Sequence, residues 1–254
     1  MTKTVAIIPA RYASTRFPGK PLALLGGKPV VQWVWENVSA VPELDCAVVA
    51  TDDERIAEAV EHFGGRAVMT SASHRSGTDR CGEVVRTLQE EGLSYDVAIN
   101  VQGDEPFVQP EQLQSLMACF DDKNVQIATL KTAIRSYDEL FSPNNVKVVC
   151  DIQGRALYFS RQPLPHLRGV EPEQWLGRQP YFKHVGIYAF RTAVLEQVVE
   201  LPQSSLEKSE SLEQLRWLEN GYSIHVRETS AANIGIDTPA DMAEAVHYIQ
   251  SLKH

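Results

Sequence analysis

Hydrophobic residues along the chain fall into two alternating patterns. Short continuous runs rich in Val and Ile predict strands that are buried on both faces of a sheet. Segments with an apolar residue every three or four positions predict amphipathic helices. The predicted strands are residues 4–10, 46–52, 66–70, 96–102, 125–130, 146–151, 184–190 and 222–228, and the predicted helices are residues 29–39, 53–63, 79–91, 110–121, 192–200, 205–220 and 239–252.

Strands and helices alternate regularly only in the first half of the chain. This alternation predicts βαβ units and an α/β fold with a mostly parallel, buried sheet. A chain of 254 residues can bury one sizeable core, so we expect residues 1–254 to form a single domain. Residues 161–183 interrupt the pattern with four prolines and little periodicity. Such long excursions are usually functional or lie at an interface.

Composition and charge exclude several classes of protein. The chain is 43% hydrophobic and 22% charged, as globular proteins are, and carries a formal net charge of −9. An acidic protein lacks the broad basic surface that binding to nucleic acid or to anionic membranes requires. No segment has the roughly 20 apolar residues of a membrane span. The four cysteines show no metal-binding spacing. We therefore expect reduced thiols and a cytoplasmic protein.

A cluster of cations follows the first predicted strand. The segment RYASTRFPGK places Arg11, Arg16 and Lys20 among the small residues Ser14 and Gly19. In open α/β sheets, ligands bind beyond the carboxyl ends of the strands, and arginine can hold phosphate oxygens bidentately. The segment is not a Walker A loop, because Pro21 follows the Gly-Lys pair. It predicts a phosphate site, with an ordinary solvated surface loop as the alternative.

Two aspartates also follow predicted strands. Asp104 lies in the segment NVQGDEP, and Asp237 lies in IGIDTP. Pro239 suits the first position of a helix, which makes Thr238 its cap and Asp241 the partner in a capping box. Asp237 is then not needed as a cap. Because Mg²⁺ commonly binds one or two carboxylates together with phosphate oxygens, the pair predicts a site for nucleotide-bound Mg²⁺.

These segments also carry a resemblance to a known family. ARYASTRFPGKPL, MTSASHRSGTDR, NVQGDEP, ALYFSR, KHVGIYAFR, LEKSESLEQLRWLENGY and IGIDTP occur in the order found in 3-deoxy-manno-octulosonate (KDO) cytidylyltransferases. The resemblance covers nearly the whole chain. It implies a Rossmann-like nucleotidyltransferase sheet, a homodimer assembled through residues 161–183, and the Mg²⁺-dependent reaction of CTP with KDO to give CMP-KDO and pyrophosphate for lipopolysaccharide biosynthesis.

The resemblance also implies roles for individual residues. The implied catalytic residues are Arg11, Lys20, Asp104 and Asp237, of which Asp104 and Asp237 would bind the metal. The implied nucleotide-binding residues are Arg11, Ser14, Arg16, Lys20, Ser76, Gly77, Thr78, Arg80 and Asp104. The implied sugar-binding residues are Gln102, Arg161, His184, Tyr188, Glu213 and Gln214. Apart from the resemblance, the residues alone favour the interpretation of His184 as a satisfied, half-buried histidine. In the predicted helix 205–220, the spacing of Leu212, Leu215 and Leu218 predicts a core-facing side. Glu210, Glu213, Gln214 and Trp217 share the other face.

Other functions stay open at the level of sequence. A CMP-sialate synthetase, or a cytidylyltransferase for another acid sugar such as an 8-amino KDO analogue, would use the same chemistry. A GT-A glycosyltransferase is disfavoured, because QGDEP stands where that fold carries a DxD pair. A catalytically silent nucleotide-binding module is disfavoured by the presence of all four implied catalytic residues. In the excursion, Trp175 is the candidate for a dimer contact.

Overall fold

A computed structural model describes residues 2–13, 17–231 and 235–251. The strands are β1 (Thr4–Pro9), β2 (Leu24–Leu25), β3 (Lys28–Pro29), β4 (Cys46–Thr51), β5 (Arg66–Met69), β6 (Val97–Asn100), β7 (Ile127–Ala133), β8 (Lys147–Cys150), β9 (Ala156–Ser160), β10 (Phe182–Arg191) and β11 (Ile224–Glu228). The helices are α1 (Val30–Ser39), α2 (Glu54–His62), α3 (Gly77–Glu90), α4 (Pro110–Ala118), α5 (Tyr137–Phe141), α6 (Thr192–Val198), α7 (Ser205–Glu210), α8 (Gln214–Glu219) and α9 (Pro239–Ser251). Short 3-10 helices cover Lys20–Leu22, Cys119–Asp121 and Pro172–Gly177.

The main sheet has the strand order β11-β7-β10-β6-β1-β4-β5, and the pair β8–β9 extends from β10. Strand β1 lies between β4 and β6 and runs parallel to both, as β5 does to β4 and β11 to β7. Only β10 runs antiparallel to its neighbours in that order, β6 and β7. The predicted α/β fold with a mostly parallel sheet is confirmed.

Hydrophobic clusters cover both faces of this sheet. In β1, Val5 and Ile7 belong to one cluster, while Ala6 and Ile8 belong to the other. This explains why the strand is a continuous apolar run without polar alternation. Because parallel neighbours end at the same edge, the loops that follow β1 and β6 start side by side.

The predicted helix over residues 205–220 is wrong. Two helices, α7 and α8, occupy this range, and Ser211 between them has a φ of 53°, in the left-handed region. No glycine or proline marks the break in the sequence. Leu212 and Leu215 are nevertheless buried, as their spacing predicted.

The proline-rich excursion packs on its own hydrophobic cluster. Trp175 is buried against Phe141 and Tyr181, and its indole N–H donates to the carbonyl of Val170 over 2.9 Å. A side chain that is 5% exposed in its own chain has little surface left for a partner. Trp175 therefore packs mainly within its own chain, and its role as a dimer contact stays a prediction.

The structure also bears on two expectations from composition. All four cysteines are free thiols. In the described ranges, no helix combines the length and apolar character needed to cross a bilayer.

Candidate active site

The loop after β1 is closed by a backbone hydrogen bond. The N–H of Gly19 donates to the carbonyl of Tyr12 over 2.9 Å. Gly19 has a φ of 71°, which favours glycine, and a Cβ at this position would lie 3.1 Å from the Tyr12 ring. The closure places Lys20 at the start of a 3-10 helix, where it is 8% exposed. The cation therefore occupies a defined position.

Lys20 bridges two carboxylates from distant parts of the chain. Its Nζ is 2.6 Å from Asp104 Oδ2 and 3.3 Å from Asp237 Oδ1. The Lys20 side chain is more deeply buried than either aspartate. The structure thus brings together one predicted phosphate ligand and both predicted metal ligands.

Backbone contacts explain why the two aspartates meet. Asp104 follows β6, and Gly103 lies directly against the end of β1. A Cβ on Gly103 would be 2.5 Å from the carbonyl oxygen of Pro9, closer than real Cβ atoms come to such a group. The N–H of Ile236 donates to the Asp104 carbonyl over 2.8 Å. This hydrogen bond sets the next residue, Asp237, beside Asp104.

The start of α9 has the capping box that the sequence predicts. The N–H of Thr238 donates to Asp241 Oδ2 over 2.7 Å, and the N–H of Asp241 donates to Thr238 Oγ1 over 3.3 Å. Asp237 lies one residue before the cap, and its carboxylate contacts Lys20 instead. The Asp237 carboxylate is therefore not the cap of this helix.

A cavity of about 360 Å³ opens at this edge of the sheet. Its lining includes six predicted site residues that carry polar or charged side chains: Arg11, Lys20, Arg80, Gln102, Asp104 and Asp237. Its size falls in the range of small-ligand sites. The remaining loop residues, Ser14 and Arg16, lie outside the described residues.

The first turn of α3 forms another wall of this cavity. Ser76 caps the helix and accepts from the N–H of Asp79 over 3.1 Å, and Gly77 and Arg80 line the cavity. The positive end of a 14-residue helix favours an anion. Ser76 is used as the cap, so its side chain supports the helix in addition to any ligand.

Arg80 is held as a buried, oriented cation. Its guanidinium donates to Thr70 Oγ1 over 2.6 Å and to Asp52 Oδ2 over 2.9 Å, and the residue is 1% exposed. Asp52 and Thr70 follow β4 and β5, at the same edge as the cavity. Asp52 and Thr70 therefore hold the Arg80 guanidinium in place at the cavity wall.

His184 fits the interpretation of a satisfied histidine. Its Nε2 lies 2.9 Å from Thr129 Oγ1, and its ring packs against Phe159 and Tyr188. Burial lowers the pKa of His184 to about 3. The imidazole is therefore neutral near pH 7 and offers a hydrogen bond rather than a charge.

Tyr188 is a buried phenol opposite Asn100 in the β10–β6 ladder. Neither Tyr188 Oη nor Asn100 Oδ1 has a hydrogen-bond partner among the described residues. Burial, and secondarily the charge of Glu213, raises the pKa of Tyr188 well above its usual value. Because unsatisfied buried polar groups are unfavourable, a polar ligand that reached these atoms would stabilise them.

Glu213 lies at the start of α8 and faces α3. Thr78 Oγ1 donates to Glu213 Oε2 over 2.8 Å. Burial raises the pKa of Glu213, while hydrogen bonds from Thr78 and Ser76 and the charge of Arg216 act in the opposite direction. Gln214 follows as a buried residue. The helix break therefore separates Glu213 from the face that it was predicted to share with Glu210.

Arg161 does not line the 360 Å³ cavity. Its guanidinium donates to the backbone carbonyls of Glu210, Pro143 and Ser211 over 2.7, 2.9 and 3.3 Å. It thereby ties the end of β9 to the helix break. Gln102, by contrast, lines the cavity and donates to the carbonyl of Gly186 over 3.4 Å.

Several residues that shape the site were missed at the level of sequence. They are Asp52, Thr70, Gly103, Thr129, Glu207 and Arg216. Gly103 lies inside the QGDEP segment, where a glycine between two polar residues is a signal of close backbone approach. The ion pair between Glu207 and Arg216 has no such signal, because it joins two helices that the leucine spacing predicts as one.

The residues present fit one hard cation. The described residues contain no group of three or more His, Cys, Asp or Glu side chains suited to a metal. Two carboxylate oxygens, from Asp104 and Asp237, nevertheless converge on a single ammonium. That donor set suits Mg²⁺, which completes its coordination with phosphate oxygens and waters.

Comparisons with known proteins show the family to which the chain is similar. The sequence model of a family described as cytidylyltransferase matches residues 5–226. A 3-deoxy-manno-octulosonate cytidylyltransferase of Parabacteroides distasonis is 54% identical over 98% of this chain and 99% of its own length. An enzyme of the same name from Phocaeicola vulgatus is 55% identical, over 98% of each chain. A solved CMP:2-keto-3-deoxy-manno-octonic acid synthetase in complex with CTP superposes with a TM-score of 0.91 at 43% identity, covering 99% of this chain and 100% of that one.

Proposed function

The chain belongs to the cytidylyltransferase family, and we propose that it activates KDO by the reaction CTP + KDO → CMP-KDO + pyrophosphate. The observation that carries the proposal is the convergence of Lys20, Asp104 and Asp237 at a cavity beside Arg11 and the start of α3. Relatives named for this reaction match the chain along nearly its whole length. The product would serve lipopolysaccharide biosynthesis.

The cations and the helix start would bind the triphosphate. Arg11, Lys20 and the N-terminal turn of α3 line the cavity together. They oppose the negative charge of the phosphates and of the developing leaving group. Ser14 and Arg16 stay predicted nucleotide ligands. Since phosphoryl and nucleotidyl transfer depend mainly on positioning and charge neutralisation, this set can support the reaction without a side-chain base.

In the reaction, the anomeric 2-hydroxyl oxygen of KDO attacks the α-phosphorus. The bond from that phosphorus to the bridging oxygen breaks, and pyrophosphate leaves in line, taking the bonding electron pair. The hydroxyl proton is released to the solvent. Asp104 and Asp237 would hold a Mg²⁺ ion, which supplies charge neutralisation at the phosphates and lowers the pKa of a bound hydroxyl. Lys20, which contacts both carboxylates here, would then turn its ammonium to a phosphate oxygen.

Polar side chains, most of them uncharged, would form hydrogen bonds with the sugar hydroxyls. Tyr188 and His184 offer a protonated phenol and a neutral imidazole, and Gln102 lies at the cavity itself. Glu213 and Gln214 contribute an acceptor and an amide from the start of α8. The implied role of Arg161 as a sugar ligand stays a prediction. Its contacts with three carbonyls support a role in holding the helix break beside this region.

A panel of sugars tests this assignment. Pyrophosphate release from CTP should be efficient with KDO, absent with its 2-deoxy form, and poor with N-acetylneuraminate, whose acetamido group would meet polar residues. An 8-amino analogue of KDO belongs in the same panel, because it shares the attacking hydroxyl and the carboxylate. Equal turnover of neuraminate and KDO would contradict the substrate assignment while leaving nucleotidyl transfer intact.

We further propose a homodimer that forms through the β8–β9 extension and the proline-rich excursion. An exposed groove there is lined by Leu157, Leu164, Pro165 and Phe182, and Leu157 is 63% exposed. Light scattering should give twice the chain mass, and Leu157→Asp should lower it to the mass of one chain. The free cysteines support a location in the reducing cytoplasm.

A further inference from the structure

The break between α7 and α8 is spanned by a buried ion pair. Arg216 Nε donates to Glu207 Oε2 over 2.9 Å, and Arg216 Nη2 donates to Glu207 Oε1 over 2.8 Å. The two residues are 7% and 6% exposed. The third guanidinium nitrogen donates to the carbonyl of Leu201 over 3.1 Å. Such a two-pronged contact fixes orientation as well as distance.

The same arginine also reaches Glu213. Arg216 Nη2 lies 3.4 Å from Glu213 Oε1, on the carboxylate whose other oxygen accepts from Thr78. Glu207, Glu213 and Arg216 line one cavity of about 440 Å³. The carboxylate of Glu213 is thereby held between α3 and α8.

The backbone at the break is unfavourable by itself. Ser211 is the single residue other than glycine with a positive φ in the described part of the chain, and no sequence signal stops the helix there. Left-handed backbone is disfavoured for residues with a Cβ and persists where surrounding contacts impose it. The break changes the direction of the chain just before Glu213, which accepts a hydrogen bond from Thr78 on α3. The contacts that span the break therefore decide where Glu213 points.

We propose that Arg216 is a positioning residue, which together with Glu207 clamps α7 to α8 and directs the Glu213 carboxylate toward the sugar site. This inference rests on the proposed function, because it takes Glu213 as a sugar ligand. A buried ion pair is weak evidence for a role in stability, since apolar residues of similar volume can often replace it. Positioning is the role that such a replacement would remove.

Two variants separate positioning from folding. The double variant Glu207→Met with Arg216→Met leaves no unpaired buried charge. Arg216→Lys keeps the charge but loses the planar fork. Arg86→Met is the matched control, because Arg86 forms an exposed ion pair with Glu200 at 3.5 Å, away from both cavities. All three variants should keep cooperative unfolding and the Kd for CTP measured by calorimetry.

The clamp variants are expected to change the kinetic constants for KDO and not those for CTP. In both clamp variants the KM for KDO should rise at least tenfold, while the KM for CTP stays within about twofold of the parent. In the double variant the acid limb of kcat/KM for KDO should move to higher pH, because loss of the neighbouring cation raises the pKa of Glu213. The other ionisable groups around Glu213, which stay unchanged, are Asp79, Cys81, Tyr188, Arg75 and Lys208.

A carboxyl titration of Glu213 by ¹³C NMR gives a second readout that needs no turnover. If the parent enzyme does not use KDO, the proposed function is refuted. The NMR titration would then test separately whether Glu207 and Arg216 position the Glu213 carboxylate. An unchanged titration in the double variant would overturn the proposal in that case. With an active parent, a KM for KDO within twofold of the parent value in both clamp variants would overturn it.

Discussion

Gly103→Ala tests whether the close approach of two backbones creates the site. A Cβ at this position would lie 2.5 Å from the carbonyl oxygen of Pro9 and 3.5 Å from the Cβ of Ala10. An ordinary contact begins near 3.4 Å, so the chain after β6 must move by about 0.9 Å relative to the end of β1. Backbone atoms block this position, and no side-chain rotation can relieve the overlap.

Two consequences can be given magnitudes. Overpacking of this kind destabilises a protein by about 1–3 kcal/mol, or about 2–12 °C in Tm for a domain of this size. The same movement shifts Asp104 relative to Arg11 and Lys20, and a displacement near 1 Å can lower a rate by about 100-fold. We therefore expect kcat/KM for CTP in Gly103→Ala to fall far more than the loss of stability explains.

Gly177→Ala is the matched control, because no atom lies within 4 Å of its added Cβ and its φ is not positive. The assays are thermal unfolding and pyrophosphate release at a temperature well below both Tm values. If Gly103→Ala matched Gly177→Ala in Tm and in kcat/KM, the contact between the two strand ends would not position the site.

Three further predictions concern charge at the site. Asp104→Asn and Asp237→Asn should each remove most Mg²⁺-dependent turnover and leave the Tm close to that of the parent. Near-normal turnover of either variant would contradict the assignment of these residues as metal ligands. Arg11→Ala and Lys20→Ala should each weaken CTP binding by about 1.5–3 kcal/mol, which raises the Kd measured by calorimetry roughly 10- to 150-fold. Unchanged Kd values would mean that the loop after β1 does not bind the phosphates. The neutral state of His184 should contribute stability that is complete above pH 6.5 and declines as pH falls toward about 3, since the unfolded state binds a proton there that the folded state does not. His184→Gln should therefore show a shallower loss of Tm over that acid range, and an identical pH dependence would contradict the assignment.

Features that depend on residues close together in the chain were predictable from the sequence. The apolar run of β1 is buried on both faces, and the capping box at Thr238 leaves Asp237 outside its helix, as the spacing of residues 237–241 indicated. The resemblance to KDO cytidylyltransferases is confirmed by the comparisons. For the strand and the capping box, the signal lies within a few residues of the feature.

The features that were missed depend on contacts between distant residues. The helix break at Ser211 is spanned by an ion pair between Glu207 and Arg216. The spacing of the leucines predicts neither the break nor the ion pair. The resemblance implied Arg161 as a sugar ligand, and in the structure three backbone carbonyls accept from its guanidinium. Trp175 was predicted as a candidate dimer contact, and in the structure it fills a small core of its own chain. Only the folded chain shows which partners these side chains have.

Nuclear magnetic resonance of the product formed from CTP and KDO labelled with ¹³C at the anomeric carbon tests the central claim most directly. Transfer of the cytidylyl group to the 2-hydroxyl predicts a new ³¹P resonance that is coupled to the labelled carbon, together with one equivalent of pyrophosphate. Consumption of CTP without this coupling, or release of inorganic phosphate in place of pyrophosphate, would contradict the account.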